Sequence, residues 1–152
     1  MEKVKDILAV KGGSIISVGS EATLYEALEV MADKNVGAVL VMDEKGKVAG
    51  IFSERDFVRK IIIKGRSGDT TKVREIMTAH VLYVQPDTSI ADCMTLMTQK
   101  RIRHLPVLEG ERPVGVISIG DVVKAVLEMQ ESLISQQAFE IGQLERYITN
   151  AP

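Results

Sequence analysis

Gly50-Ile-Phe-Ser-Glu-Arg-Asp56 and Gly115-Val-Ile-Ser-Ile-Gly-Asp121 are one pattern written twice: a glycine, two apolar residues, a serine, two variable residues and an aspartate. Working outward from this pair, the correspondence continues in order along the chain. Val4-Lys-Asp-Ile7 matches Val73-Arg-Glu-Ile76, Val18 matches Val84, Met31 matches Met97, Lys34 matches Lys100 and Val41 matches Val107. The offset falls from 69 to 66 to 65 residues, which places short insertions near Lys11-Gly12-Gly13 and in the turn Asp43 to Gly46. A repeat of this length is too long for a solenoid unit. It describes a duplicated small domain whose two copies pack together, each burying one face on the other.

Both copies read alike in secondary structure. A short strand is expected near Ile15 to Val18 and near Val81 to Val84. A helix follows, because Leu24, Ala27, Leu28 and Met31 hold the spacing of one buried stripe, as do Ile90, Cys93, Met94 and Met97. Thr23-Leu-Tyr-Glu26 is a capping box at the start of the first of these helices, and Ser89 with Asp92 is its weaker partner. Two apolar strands come next, Val36 to Met42 and Val48 to Phe52 in copy one, Ile102 to Leu108 and Val114 to Ile117 in copy two. Their nearly continuous apolar runs predict sheets covered on both faces. A second helix closes each copy, Glu54 to Lys64 with Gly65 as its cap, and Gly120 to about Gln130. The polar stretch Gly65 to Lys72 reads as the linker. Beyond copy two the helical pattern runs on through Val126, Leu127, Leu133, Ile134, Ile141, Leu144 and Ile148, with no counterpart in copy one. The expected architecture is α+β: repeat 1 over residues 4–66, repeat 2 over 73–128 and a helical extension over 129–152.

Composition narrows the function. The chain has 152 residues, 45% hydrophobic and 26% charged, an ordinary globular balance that excludes disorder and a disulfide scaffold. The formal net charge is −2, so no global basic field draws the chain to nucleic acid or anionic lipid. Trp is absent and aromatics make up only 4%, which argues against base-stacking platforms. Cys93 is the single cysteine, so cysteine-based zinc sites and internal disulfides are excluded. Met1 to Val10 lacks the apolar core of a signal peptide and no run approaches a membrane span, so the expected address is the reducing cytoplasm.

The carrying residues Ile76-Met77-Thr78, Arg101-Ile-Arg-His-Leu-Pro-Val107 and the two Gly-to-Asp segments make the chain resemble the cystathionine-β-synthase (CBS) domain pair, also called a Bateman module. The resemblance covers roughly Val4 to Glu128 and is closest to the stand-alone bacterial form. It implies two β-α-β-β-α units related by a pseudo-twofold, commonly dimerised, with adenosine-containing ligands in the clefts between units.

The Gly-to-Asp segment runs from the end of a strand into a helix, where free N–H groups and the helix dipole favour an anion. A serine at that boundary can donate to a phosphate or ribose oxygen, and a carboxylate one turn later can accept from both hydroxyls of a ribose diol. Asp121 and Asp56 are therefore assigned to ribose, and Ser118 and Ser53 to the ribose–phosphate end, with Ile119 beside Ser118. The same spacing is also a helix-capping box, and the two roles can alternate. Arg103, whose counterpart is Gly37, offers a planar fork for phosphate; the alternative is a solvated strand end. Pro106 removes a strand N–H, which leaves neighbouring backbone groups for an adenine edge, with Leu105 and Val107 over the purine. His104 lies beside this cleft. The resemblance places Met77, Thr78 and Val81 on the opposite wall, where plain core packing is the alternative. It also turns Arg55 toward the nucleotide bound by the other copy, so both arginines are expected at the Asp121 site and neither at the Asp56 site.

No catalytic constellation accompanies this site. His80 and His104 lack convergent partners for zinc or a triad. Lys11-Gly12-Gly13-Ser14 lacks the spacing of a phosphate-binding loop, and no Gly-x-Gly-x-x-Gly occurs. The expected function is a non-enzymatic sensor that binds AMP, ADP, ATP or NAD(H), forms a homodimer and acts on a partner protein. The alternative is a constitutive oligomerising scaffold with vestigial clefts.

Overall fold

The computed structural model describes residues 2–62, 64–65 and 68–149. The helical extension therefore reaches Thr149, and its expected last residues, 150–152, lie outside the described residues, as do the linker positions 66 and 67 and position 63 in the second helix.

Copy one contains helix α1 (Val4–Lys11), strand β1 (Ser17–Gly19), helix α2 (Leu24–Lys34), strands β2 (Ala38–Met42) and β3 (Val48–Ser53), and a second helix that begins as α3 (Glu54–Asp56) and widens into π-helical turns over Phe57–Ile62. Copy two begins with a short 3-10 turn (Val73–Glu75), followed by helix α4 (Ile90–Lys100), strands β4 (His104–Glu109) and β5 (Arg112–Ser118) and the 31-residue helix α5 (Ile119–Thr149). The α+β class and the tandem arrangement are as expected. Among the described residues no helix is long and apolar enough to cross a membrane.

The helix starts follow their capping chemistry. Thr23 accepts from the Glu26 N–H while Glu26 accepts from the Thr23 N–H, and Ser89 accepts from the Asp92 N–H. In copy one, β1 pairs parallel with β2 and β2 antiparallel with β3. In copy two, β4 and β5 pair antiparallel, and the expected strand over Val81 to Val84 shrinks to a single bridge from Val84 to Val107. Pro106 explains the loss. In copy one the Leu40 N–H donates to the Ile16 carbonyl at 3.1 Å. Pro106 stands at the equivalent place and has no N–H to offer. The bridge retains the Val84 N–H on the Pro106 carbonyl and the Leu108 N–H on the Val84 carbonyl.

The short N-terminal helix α1, absent from the sequence reading, organises the whole fold. It packs on copy two, against β5 and α5. Val4 and Ile7 are buried with Val84, Ile90, Met97, Leu105 and Ile117. Reciprocally, Val73 and Ile76, which open copy two, are buried with Leu24, Met31, Val41 and Phe52 of copy one. The backbone bonds repeat the exchange: Val4 N–H to Thr88 carbonyl and Ile90 N–H to Glu2 carbonyl on one side, Val73 N–H to Ala22 carbonyl and Leu24 N–H to Thr71 carbonyl on the other. Two glycines make room for it. A Cβ on Gly50 would lie 2.6 Å from Met77 Sδ, and a Cβ on Gly115 would lie 2.6 Å from Leu8 Cδ2. These are the glycines that open the duplicated segment. Each copy thus completes the other's core.

Candidate functional site

Each duplicated segment builds the same local structure. β3 and β5 end at Ser53 and Ser118, and the following helix starts at once. The first helical N–H of each is taken across the sheet: Glu54 N–H by the Gly37 carbonyl at 3.1 Å, Ile119 N–H by the Arg103 carbonyl at 2.8 Å. The aspartate then closes a capping box. The Asp56 carboxylate accepts from the Ser53 N–H at 3.0 Å and the Asp121 carboxylate accepts from the Ser118 N–H at 2.8 Å. The capping role weighed for the motif is therefore realised in both copies.

The two carboxylates differ in what else reaches them. Asp56 Oδ1 is ion-paired with Lys60 Nζ at 3.2 Å and accepts from the Thr78 hydroxyl at 3.4 Å. Thr78 is held there because its N–H and carbonyl both pair with Ile51 of β3. Asp121 Oδ2 instead accepts from Lys11 Nζ at 2.7 Å, and the same ammonium donates to the Val116 carbonyl at 2.9 Å. Lys11 is the last residue of α1, so the exchanged segment delivers a cation to copy two where it delivers a hydroxyl to copy one. Burial would raise the Asp121 carboxyl, but the hydrogen bonds from Lys11 and from Ser118 outweigh it and hold the group below its ordinary value.

A cleft opens beside Asp56. It encloses about 220 Å³, opens to solvent, and lies between the two copies. Ser53, Glu54, Arg55, Asp56 and Arg59 line one side with Ile51 and Thr78; Arg101, Ile102, Arg103 and His104 line the other with Gly37. Gly37 lies beside the His104 imidazole, where a Cβ would sit at contact distance, 3.4 Å. Arg55 Nη1 donates to the Arg101 carbonyl at 3.3 Å, a direct link between the copies across the cleft. Arg101 itself caps α4 in the left-handed conformation, φ 53°, as Asn35 caps α2 with φ 52°. Burial, with Lys11 and Arg103 nearby, holds the His104 imidazole below its usual value despite Asp121 and Glu54.

The grouping differs from the sequence expectation. Ser53, Arg55, Asp56, Thr78, Arg103 and His104 do come together, but around Asp56 and not around Asp121. Asp121 lines a separate groove with Ile7, Val10, Lys11 and Lys124. The expected asymmetry is thus reversed: the arginines face copy one's carboxylate. Leu105 and Pro106 are buried, Leu105 within copy two's core, and neither they nor Val81 line the cleft. Met77 packs against copy one's core under Gly50. Ser118 and Ile119 stay with the Asp121 half. The reason is the segment exchange, which carries Thr78 onto β3 and so onto Asp56. Arg59 and Lys11 are outside the expected site residues. Arg101 stands two residues from Arg103 in the basic run Lys100 to Arg103, whereas Lys11 had no signal without α1.

Two similar units that exchange their leading segments, with a polar cleft between them, define a tandem-repeat module. The chain belongs to the CBS domain family, whose profile matches residues 4–63 and 73–128. It is 41% identical over 148 residues to the CBS domain-containing protein CBSX3, mitochondrial, of Arabidopsis thaliana, covering 91% of this chain and 72% of that protein. It is 33% identical over 122 residues to the CBS domain-containing protein YhcV of Bacillus subtilis, covering 80% and 84%. Among solved structures, the CBS-domain containing protein ATU1752 of Agrobacterium tumefaciens superposes with a TM-score of 0.77 at 40% identity, covering 82% of this chain and 92% of that one.

Proposed function

We propose that the chain is a non-enzymatic regulatory module that binds an adenosine-containing nucleotide, AMP, ADP, ATP or NAD(H), in the Asp56 cleft. The observation that carries this reading is the convergence of a strand-to-helix carboxylate, Asp56, with four arginines, Arg55, Arg59, Arg101 and Arg103, contributed by both copies to one cleft. Guanidinium forks suit phosphate oxygens. The Asp56 carboxylate and the Ser53 and Thr78 hydroxyls suit a ribose diol. In the free protein Asp56 is occupied by Ser53, Lys60 and Thr78, so a diol replaces the long Thr78 contact first. The cleft is smaller than the ~300–1,000 Å³ of ordinary ligand pockets, so a nucleotide fills it and leaves one end at the mouth. Because the cleft draws residues from both copies, ligand favours whichever packing of the copies brings Arg55 and Arg103 onto it. A single buried thiol accords with a reducing compartment such as the cytoplasm.

Thermal unfolding in the presence of AMP, ADP, ATP, NAD and NADH tests the reading. A nucleotide at 100 times its dissociation constant stabilises by about 2.7 kcal/mol, and Asp56→Ala abolishes the shift. A second reading, a scaffold that binds a partner protein, is favoured by the apolar residues left exposed along α5, Leu133, Ile134, Ile141 and Leu144 among them. No shift with any nucleotide selects it.

A further inference from the structure

Helix α5 carries a feature that the cleft does not use. Its first turns bury Val122 and Ala125 in copy two, and beyond Met129 its large apolar side chains are exposed. Four of these form a strict series. Leu127, Ile134, Ile141 and Ile148 are 53%, 65%, 56% and 73% exposed and follow one another at intervals of seven residues. Val123, Gln130, Gln137 and Leu144 interleave with them, also seven apart. Seven-residue spacing keeps one narrow seam facing a neighbouring helix, as in a coiled coil. A helix laid on a sheet or a globular surface carries a broader stripe at a period of 3.6. The helix is about 46 Å long at 1.5 Å per residue, and the seam runs nearly its whole length.

We propose that the seam is closed by α5 of a second copy of this chain, packed antiparallel. Setting Val123 against Ile148 of the second copy brings Leu127 onto Leu144, Gln130 onto Ile141 and Ile134 onto Gln137, and the twofold repeats each layer. Charge chooses the direction. The antiparallel register sets Lys124 beside Glu145 of the second copy and Val126 beside Tyr147. A parallel register sets Glu140 beside Glu145 of the second copy, a like-charge pair at flanking positions where such pairs govern orientation. Phe139 is as exposed as Ile134, at 65%, but lies off the seam and is left outside the contact.

The test uses the full chain, and the substituted side chains are exposed, so the fold of both copies is retained. In sedimentation equilibrium the protein is a dimer. Ile134→Glu combined with Ile141→Glu raises the dissociation constant at least tenfold, whereas Phe139→Glu leaves it unchanged. On mild oxidation, Leu127→Cys combined with Leu144→Cys forms an intermolecular disulfide between positions 127 and 144, and Leu144→Cys alone forms none. A monomer, unaltered association of the double glutamate variant, or a disulfide between two copies of position 144 overturns the proposal.

Discussion

Lys11 reaches from the end of α1 in copy one to the Asp121 carboxylate of copy two at 2.7 Å, while the equivalent carboxylate, Asp56, is met from the exchanged segment only by the Thr78 hydroxyl at 3.4 Å. Each carboxylate meets an ammonium, but the one on Asp121 comes from the exchanged segment and the one on Asp56 comes from Lys60 of its own helix, at 3.2 Å. This difference turns a duplicated sequence into an asymmetric module.

The Lys11–Asp121 contact has a defined pH signature. The Asp121 carboxyl is held below its ordinary value of 3.8. The unfolded chain therefore binds a proton at a higher pH than the folded one, and the contribution is complete above that value and is lost as pH falls through the lower folded pKa. Lys11→Ala is expected to lower stability by about 0.5–1 kcal/mol at pH 7, the scale of a partly exposed pair. Urea unfolding of the variant and the parent should differ at pH 7 and converge as pH falls below 3.8 and through the lower folded value.

Segment exchange predicts that neither copy is stable without the other's leading residues. Ile7 is 5% exposed, inside copy two's core. Ile7→Ala should cost about 2–4 kcal/mol, and the loss should appear in one cooperative transition reported equally by both copies. Two separate transitions, with copy one unaffected, would contradict the exchange as an energetic link. The measurement is urea denaturation followed by hydrogen exchange at residues of both cores.

His104 should stay neutral in the free protein. Burial holds its imidazole below the ordinary 6.5. The unfolded chain takes up the proton first, so stability falls as pH drops from 6.5 toward the lower folded value. Proton NMR should place the His104 titration below 6.5. Because His104 lines the Asp56 cleft, a bound phosphate should raise it. A titration indifferent to ligand would place the phosphate elsewhere.

Most of the fold was legible in the sequence, and its failures have local causes. The duplicated Gly-to-Asp segment located both strand-to-helix junctions, and the stripes of Leu24 to Met31 and Ile90 to Met97 located both central helices, because burial on one face leaves a period. The missing N–H of Pro106 is plain in the sequence, but its effect falls on a neighbour: it removes the donor that would hold residues 81–84 as a strand. The candidate cleft was half legible. Chemistry named residue types, six of which line the Asp56 cleft, and repeat alignment paired Arg103 with Gly37. Neither can tell which copy's carboxylate an exchanged segment will face. That is decided by packing, through Val4 and Ile7 on one side and Val73 and Ile76 on the other.

Arg101 offers a trade between stability and binding. It occupies a left-handed cap, φ 53°, where its counterpart is Asn35. Non-glycine residues other than Asn and Asp are disfavoured there, so Arg101→Asn should gain about 0.5–1 kcal/mol while removing a cation from the cleft. Raised thermal stability with weakened nucleotide affinity is the expected pair of results. Unchanged affinity would exclude the Arg101 side chain from the site.

The most direct test of the central reading is isothermal titration calorimetry of the five nucleotides against the parent, Asp56→Ala and Asp121→Ala. Binding in the parent that is abolished by Asp56→Ala and retained by Asp121→Ala is the predicted outcome. Binding that survives Asp56→Ala but is lost in Asp121→Ala, or no binding of any nucleotide to the parent, would contradict it.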